Sequence, residues 1–328
     1  MHQRRFGRTG WQVSEIGFGS WAIGADWGDV EEKDGIAALN AALDSGVTMI
    51  DTADVYGDGR AEKLIAKTLK GRGGARPMVA TKAGKRLNPH VASGYNRQNL
   101  TSFVERSLRY LEVDVLDLVQ LHCPMTEVFY QPETFEALDR LVEEGKIRHY
   151  GVSVEKVEEG IKALQYPGVV SVQIIYNMFR QRPAELFFDM ARQKDVAIIV
   201  RVPLASGLLS GKFKSDSSFS AKDHRNYNRQ GEAFDVGETF SGVNYQEGLQ
   251  AVEELRPLLP PGATMAQWAL RWILMNPAVT VTIPGAKSVR QAQENAAASD
   301  LPALSPQVME RIADIYERRI KAAVHQRW

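Results

Sequence analysis

The chain has a single cysteine, Cys123, in 328 residues. An intrachain disulfide and a cysteine-rich zinc centre are both excluded, and the composition fits a reducing compartment. There is no net formal charge, because 40 Lys and Arg balance 40 Asp and Glu. That balance argues against bulk attraction to nucleic acid or to an anionic membrane surface. No apolar run approaches the roughly 18 residues that a membrane-spanning helix requires. The first residues, Met1-His2-Gln3-Arg4-Arg5-Phe6, lead into no apolar segment of the kind a secretory signal carries. A cytoplasmic protein is expected, with no nucleic-acid and no membrane partner. The six histidines include no i, i+4 pair, so no metal site is expected. Two glycine motifs are incomplete. Gly17-Phe18-Gly19 lacks the third glycine of a dinucleotide-binding βαβ fingerprint. Gly207 and Gly211 are separated by three residues rather than a phosphate loop's four, and Phe213 stands where a hydroxyl would bind magnesium.

What the chain does have is a 44% hydrophobic content, enough for a full core, and a sustained alternation of strand and helix patterns. Arg4–Phe6 and Trp11–Ile16 flank Gly7–Gly10 as a β-hairpin. Ile16–Gly19 is the first strand, followed by a Gly- and Trp-containing loop through Gly28. Further strands are expected at Val47–Asp51, Met78–Lys82, Leu116–His122, Arg148–Ser153, Val169–Ile175, Val196–Arg201 and Val279–Ile283. Helices are expected between them at Glu31–Ser45, Ala61–Leu69, Asn99–Leu111, Thr134–Glu144, Lys156–Gln165, Pro183–Gln193, Tyr245–Leu255, Thr264–Met275 and Val289–Ala298. A last amphipathic helix covers Pro306–Ala322. Eight such units predict an α/β fold, a closed (β/α)₈ TIM barrel with an N-terminal β-hairpin, a long loop after strand seven and a C-terminal extra helix. Residues 1–328 read as one domain. The stretch Ala205–Gly242 is too long for an ordinary connection, so it is either a functional loop or disordered.

The chemistry concentrates in Asp51-Thr52-Ala53-Asp54-Val55-Tyr56-Gly57. Asp51 ends a buried strand and needs a cationic partner. Lys82 and His122 end the next two strands. In a barrel these ends converge on one mouth. Asp51 can then pair with Lys82, and Lys82 can lower the proton affinity of the Tyr56 phenol. His122 can orient a substrate oxygen. Such an assembly suits protonation of oxygen as a carbonyl becomes an alcohol. Taken singly, each residue has a structural alternative. Asp51 can be a cap, Lys82 a solvated strand end, His122 a satisfied buried histidine and Tyr56 a packed aromatic. Asp54 is read as structural.

Over nearly its whole length the chain resembles an aldo-keto reductase of the bacterial, NADPH-dependent type. The likeness rests on Gly17-Phe18-Gly19-Ser20-Trp21, Asp51–Gly57, Ala80-Thr81-Lys82, Leu118–His122, Gly151-Val152-Ser153, Val172–Asn177, Pro203–Lys212 and Ile283–Ser288 through Glu294-Asn295. The resemblance implies that Tyr56 is the general acid, tuned by Lys82 and Asp51, with His122 orienting the carbonyl. It implies hydride transfer from a nicotinamide bound across the barrel mouth. Gly19, Ser20, Trp21 and Asp51 are among the implied cofactor-binding positions. Ser153 and Gln173 match the positions that hold the carboxamide; Val154 stands where the family often has Asn. Arg201 falls where many members place an aromatic ring beneath the nicotinamide. Pro203, Leu204, Ser206, Leu208 and Lys212 match the pyrophosphate segment, and Gly285, Lys287, Gln291, Glu294 and Asn295 the adenosine end. Lys287 beside Ser288 suits a 2′-phosphate, so NADP (NADPH) is favoured over NAD.

The resemblance thus implies an NADPH-dependent reductase of aldehydes or ketones, a monomer or weak homo-oligomer acting on a small-molecule carbonyl substrate. Two alternatives share its residues. One is a nicotinamide-binding regulatory subunit similar to channel β subunits; the other is a dehydrogenase running toward alcohol or sugar oxidation. The substrate wall is expected from Trp21, Trp27, the region near Tyr95, the loop after His122 and the Ala205–Gly242 stretch. Trp328 is expected either to seal the pocket or to be a disordered end.

Overall fold

The computed structural model describes residues 1–24, 27 and 30–328. The end of the expected Gly- and Trp-containing loop, at Gly28, lies outside the described residues.

The hairpin forms as the sequence pattern predicts. Strands β1 (Gln3–Arg5) and β2 (Gln12–Ser14) pair antiparallel around a turn at Gly7–Thr9. The main sheet then runs through β3 (Phe18–Gly19), β4 (Met49–Asp51), β5 (Met78–Ala83), β6 (Leu116–His122), β7 (Ile147–Ser153), β8 (Val169–Ile175), β9 (Ala197–Arg201) and β10 (Val279–Thr282). These eight strands pair in parallel and in chain order. Parallel bridges from Ile16 to Thr282 and from Gly19 to Gly285 join the first strand to the last. Strands covered on both faces read as near-continuous apolar runs. β8, Val-Val-Ser-Val-Gln-Ile-Ile, is buried at every position.

Each helix covers the sheet with one apolar stripe. In α3 (Arg60–Lys70), Ala61, Leu64, Ile65 and Thr68 are buried while Lys63, Lys67 and Lys70 face out. The other main helices are α2 (Glu32–Asp44), α4 (Arg97–Leu111), α5 (Pro132–Glu143), α6 (Val157–Ala163), α7 (Phe187–Gln193), α9 (Tyr245–Leu255), α10 (Met265–Leu274), α11 (Val289–Ala297) and α12 (Pro306–Ile315). One-turn helices α1 (Trp21–Gly24) and α8 (His224–Tyr227) lie in the loops of the mouth.

Boundaries moved where capping chemistry decides them. α4 starts at Arg97 rather than Asn99 because the Asn96 side chain accepts the Asn99 N–H at 3.1 Å. α7 starts at Phe187 rather than Pro183 because Arg182–Ala184 forms a separate 3₁₀ turn. The last helix is interrupted by a π-helical turn at Tyr316–Ile320 before α13 (Lys321–Val324). The Ala205–Gly242 stretch is ordered as a packed series of turns, at Ala205–Ser210, Val236–Glu238 and Phe240–Gly242 besides α8. Aromatic contacts such as Phe213 with Phe219, at 5.2 Å between centroids, hold it together.

The barrel interior is layered. Met49, Ala80, Leu118, Val170, Ile199 and Val281 form one apolar layer with Phe6 and Val13 of the hairpin packed beneath it. The hairpin therefore plugs the bottom of the barrel. Strand side chains alternate, so residues two positions further along a strand face the same way. Two beyond Met49, Ala80, Leu118 and Ile199 stand Asp51, Lys82, Gln120 and Arg201. The polar layer begins where the apolar one ends, at the C-terminal mouth.

Candidate active site

Asp51 is buried, and its carboxylate is met on every side. Oδ2 lies 2.5 Å from Lys82 Nζ. Oδ1 accepts from Gln173 Nε2 at 2.7 Å and from Gln120 Nε2 at 3.3 Å. A buried carboxylate needs this satisfaction. Lys82 in turn places all three donors of its ammonium, on Asp51, on the Thr52 carbonyl at 3.0 Å and on the Tyr56 oxygen at 3.2 Å. Because Lys82 donates to the phenolic oxygen, the proton of Tyr56 points away from Lys82. The His122 ring stands almost perpendicular to that of Tyr56, with centroids 5.9 Å apart. The three strand-end residues and the loop residue Tyr56 proposed from sequence are therefore one cluster.

The electrostatics correct one expectation. The Tyr56 phenol is held well above its ordinary pKa, not below it. Burial is the main cause, and the charges of Asp51 and Glu238 add to it. Lys82 is paired with Asp51, whose negative charge opposes the effect of the ammonium at Tyr56. Burial also lowers the pKa of Lys82, against the pull of Asp51. His122 is pushed well below the usual imidazole range, first by burial and then by Lys85, Lys82 and Arg201. It is a neutral ring at neutral pH, and its Nδ1 meets no partner among the described residues.

The cluster floors a cavity of about 570 Å³. Of the cofactor positions proposed from sequence, Gly19, Trp21, Asp51, Ser153, Gln173, Arg201, Pro203, Leu204, Ser206, Lys212, Gly285, Lys287 and Gln291 line it. Ser20, Leu208, Glu294 and Asn295 do not. Ser20 is buried behind the wall. The Leu208 side chain enters the core against Gly248. Glu294 pairs with Arg290 on the outside of α11, and Asn295 donates to the Gly285 carbonyl. Gln291 accepts the Lys287 N–H, bracing the loop before α11. Lys287 Nζ donates to the Trp27 carbonyl, across the cavity rim.

Arg201 is not a loose planar group. Its guanidinium donates to Glu238, to the Val154 carbonyl at 2.9 Å and to Cys123 Sγ at 3.5 Å. Glu238 belongs to the long stretch after β9, so this buried pair ties that stretch to the mouth. Cys123, Glu155 and Glu238 bring potential metal-ligand atoms within 4.8 Å of one another. Arg201 already binds two of the three and supplies the cation there.

Trp21 and Trp27 both line the cavity, as expected. Trp21 stacks on the buried His224 of α8 at 4.8 Å, and Trp27 meets the same ring edge-on at 4.5 Å. A Cβ on Gly24 would approach Tyr56 Cβ to 2.9 Å, so the α1 turn packs directly on the tyrosine loop. Two expected wall regions are corrected. Tyr95 is buried behind the wall, hydrogen-bonded to His90, and the loop after His122 supplies no lining residue. Lys85 reaches the cavity instead. Trp328 is buried on Arg180, with its indole N–H on Asp235, and seals the back of the long stretch rather than the pocket.

Sequence reasoning missed Gln120, Glu238 and Lys85. Gln120 was within reach, lying between Leu118 and His122 on the inward face of β6. Glu238 and Lys85 sit in irregular segments that carry no periodicity.

The residues fit an extended nicotinamide dinucleotide. Backbone at Val202, Ala205, Ser206 and Gly207 has positive φ beside the cavity, a tight turn in which the Ala205 and Gly207 N–H groups donate to the Val202 and Leu204 carbonyls. Lys212 and Lys287 supply cations to the lining, as does Arg225, which is paired with Asp223. Gly19 admits no side chain, since a Cβ would lie 2.6 Å from the Ile283 carbonyl.

Comparison with known proteins agrees. The chain is 33% identical over 290 residues to aldo-keto reductase YhdN of Bacillus subtilis, covering 87% of this chain and 85% of that one. It is 29% identical to a probable voltage-gated potassium channel subunit beta of Arabidopsis thaliana, over 98% of each. Its fold matches aldo-keto reductase AKR11C1 of Bacillus halodurans, holo form, with a TM-score of 0.78 and 27% identity, covering 100% and 99% of the two chains. No helix among the described residues is long and apolar enough to cross a membrane. Residues 15–317 match the Aldo/keto reductase family, and the chain belongs to that family of nicotinamide-using oxidoreductases.

Proposed function

We propose that the protein reduces aldehydes or ketones to alcohols with NADPH, and that Tyr56 is the general acid. The observation that carries this is the chain of contacts from Asp51 through Lys82 to the Tyr56 oxygen. A carbonyl oxygen placed between Tyr56 and His122 meets a phenolic proton directed away from Lys82. Neutral His122 offers it an N–H and holds it in line. The bound nicotinamide would supply the hydride that reduces the carbonyl carbon. Tyr56 gives its proton to the oxygen, and Lys82 stabilises the phenolate left behind. Asp51, held by Gln173 and Gln120, keeps the ammonium in place. Solvent then reprotonates Tyr56. The high proton affinity of the phenol keeps the acid loaded across the neutral range.

Ser153 and Gln173 would meet the carboxamide end of the cofactor. Lys212 and Arg225 would meet its phosphates. Lys287 supports NADPH over NADH because it has no acidic partner among the described residues; its ammonium rests on a neutral carbonyl that a 2′-phosphate can replace.

Tyr56→Phe tests the reading. Reduction of a broad aldehyde panel should fall by about 10²–10⁴-fold while NADPH binding, read by fluorescence, stays within about twofold. Loss of binding as well would make Tyr56 structural. The likeness to a channel β subunit favours a second reading, a nicotinamide-binding regulatory module. Tight NADPH binding with no Tyr56-dependent turnover on the panel would select it.

A further inference from the structure

Beyond Tyr56 and His122 the cavity is walled by rings: Trp21, Trp27, Tyr227 and Phe234. Lys85 stands beside the last of them. It lies 5.9 Å from the centre of the Phe234 ring and has no hydrogen bond or ion pair among the described residues. The ring attracts the ammonium but accepts none of its N–H bonds, so its donors are left for an anion.

The other charges at this end cancel. Lys82 is paired with Asp51, and Arg201 with Glu238. Glu155 has its carboxyl pushed up to about 7, by burial and by the charges of Asp235 and Glu238, so it opposes Lys85 only in part. Of the other lining cations, Arg225 is paired with Asp223 and Lys287 donates to the Trp27 carbonyl; with Lys212 they suit cofactor phosphates.

Backbone geometry puts Lys85 where it is. Gly84 follows β5 with φ 118°, and a Cβ there would lie 2.5 Å from the Tyr95 ring. Only glycine makes this turn against the core, and the next residue is delivered to the mouth. Lys85 is also the first of the neighbouring charges acting on His122, ahead of Lys82. Lys85 and His122 line one cavity, so a substrate whose oxygen meets His122 can extend its remainder to Lys85.

We infer that Lys85 forms a subsite for one negative charge on the substrate, so that the carbonyl compound reduced here carries a carboxylate at its far end. This rests on the reductase reading above. A single ammonium matches a single charge.

Two aldehydes of similar shape test the subsite, 4-carboxybenzaldehyde and 4-methylbenzaldehyde. The wild-type enzyme should favour the carboxylate by about tenfold or more in kcat/KM at low salt. That ratio should shrink as ionic strength rises. Lys85→Met should bring it near one, and Lys85→Arg should keep most of it. Binding gives a readout independent of turnover. Quenching of tryptophan fluorescence should show 4-carbamoylbenzoate binding more tightly than 4-methylbenzamide, with the difference lost in Lys85→Met. Equal ratios in wild type and Lys85→Met, with Tyr56-dependent reduction intact, refute the subsite and leave the reductase reading standing. No turnover of either aldehyde, with Lys85-dependent binding of 4-carbamoylbenzoate, supports the subsite and refutes the reductase reading.

Discussion

Asp54 offers a quantitative test of the burial argument. It lies between Asp51 and Tyr56 in the chain, with no exposed surface. Neither carboxylate oxygen finds a well-formed hydrogen bond among the described residues. Glu62, equally buried, stands nearby with one oxygen on the Thr81 hydroxyl at 2.6 Å and the other unpartnered. Burial first, and then the charge of Glu62, push the Asp54 carboxyl from 3.8 up to about 7; Arg86 and Arg106 oppose this only in part. The folded state therefore holds a proton that the unfolded chain releases near pH 4. Stability is fully present below the unfolded value and is lost as pH rises through the folded one. A shift of about three units corresponds to about 4 kcal/mol at 1.36 kcal/mol per unit, an upper figure because Glu62 shares the interaction. Asparagine has the shape of the protonated acid and cannot ionise. Asp54→Asn should match wild type near pH 4 and exceed it by about 2–4 kcal/mol at pH 8. Urea denaturation followed by tryptophan fluorescence, at intervals from pH 4 to 9, measures the difference. A gap that stays constant with pH, or an asparagine variant less stable at pH 8, would refute the reasoning.

Three further outcomes are expected. Lys287→Ala should weaken NADPH binding by about ten- to a hundredfold while leaving NADH within about twofold, measured by fluorescence titration; equal losses would remove the 2′-phosphate assignment. Phe6→Ala, at the plug beneath the barrel, should destabilise the fold by about 3–5 kcal/mol in chemical denaturation without changing KM for the cofactor. Because burial holds the Tyr56 phenol above its usual range, reduction should stay level through pH 9, whereas alcohol oxidation, which needs the phenolate as base, should climb with pH. A reduction rate that falls by half before pH 8 would contradict that order.

Much of this protein is written in local pattern. Apolar runs alternating with amphipathic stretches already specify strands covered on both faces and helices outside, because each element's periodicity follows from its own backbone geometry. The same alternation carries Asp51, Lys82 and His122 to one end of the barrel, and it carries Gln120 there too. Helix starts shifted by a few residues because Asn96 and Pro132 act through single hydrogen bonds or ring geometry that periodicity does not register. The proton affinity of Tyr56 was not legible. Its sign depends on whether burial or the neighbouring ammonium prevails, and that balance exists only once Lys82 has taken Asp51 as its partner. The Arg201–Glu238 tie, the closing wall of His224 and Phe234, and the position of Lys85 were not legible either. They join residues across irregular segments, where no repeat constrains which side chain meets which. Only the folded chain decides those pairings, because its packing determines which charges lose water and which partner each then meets.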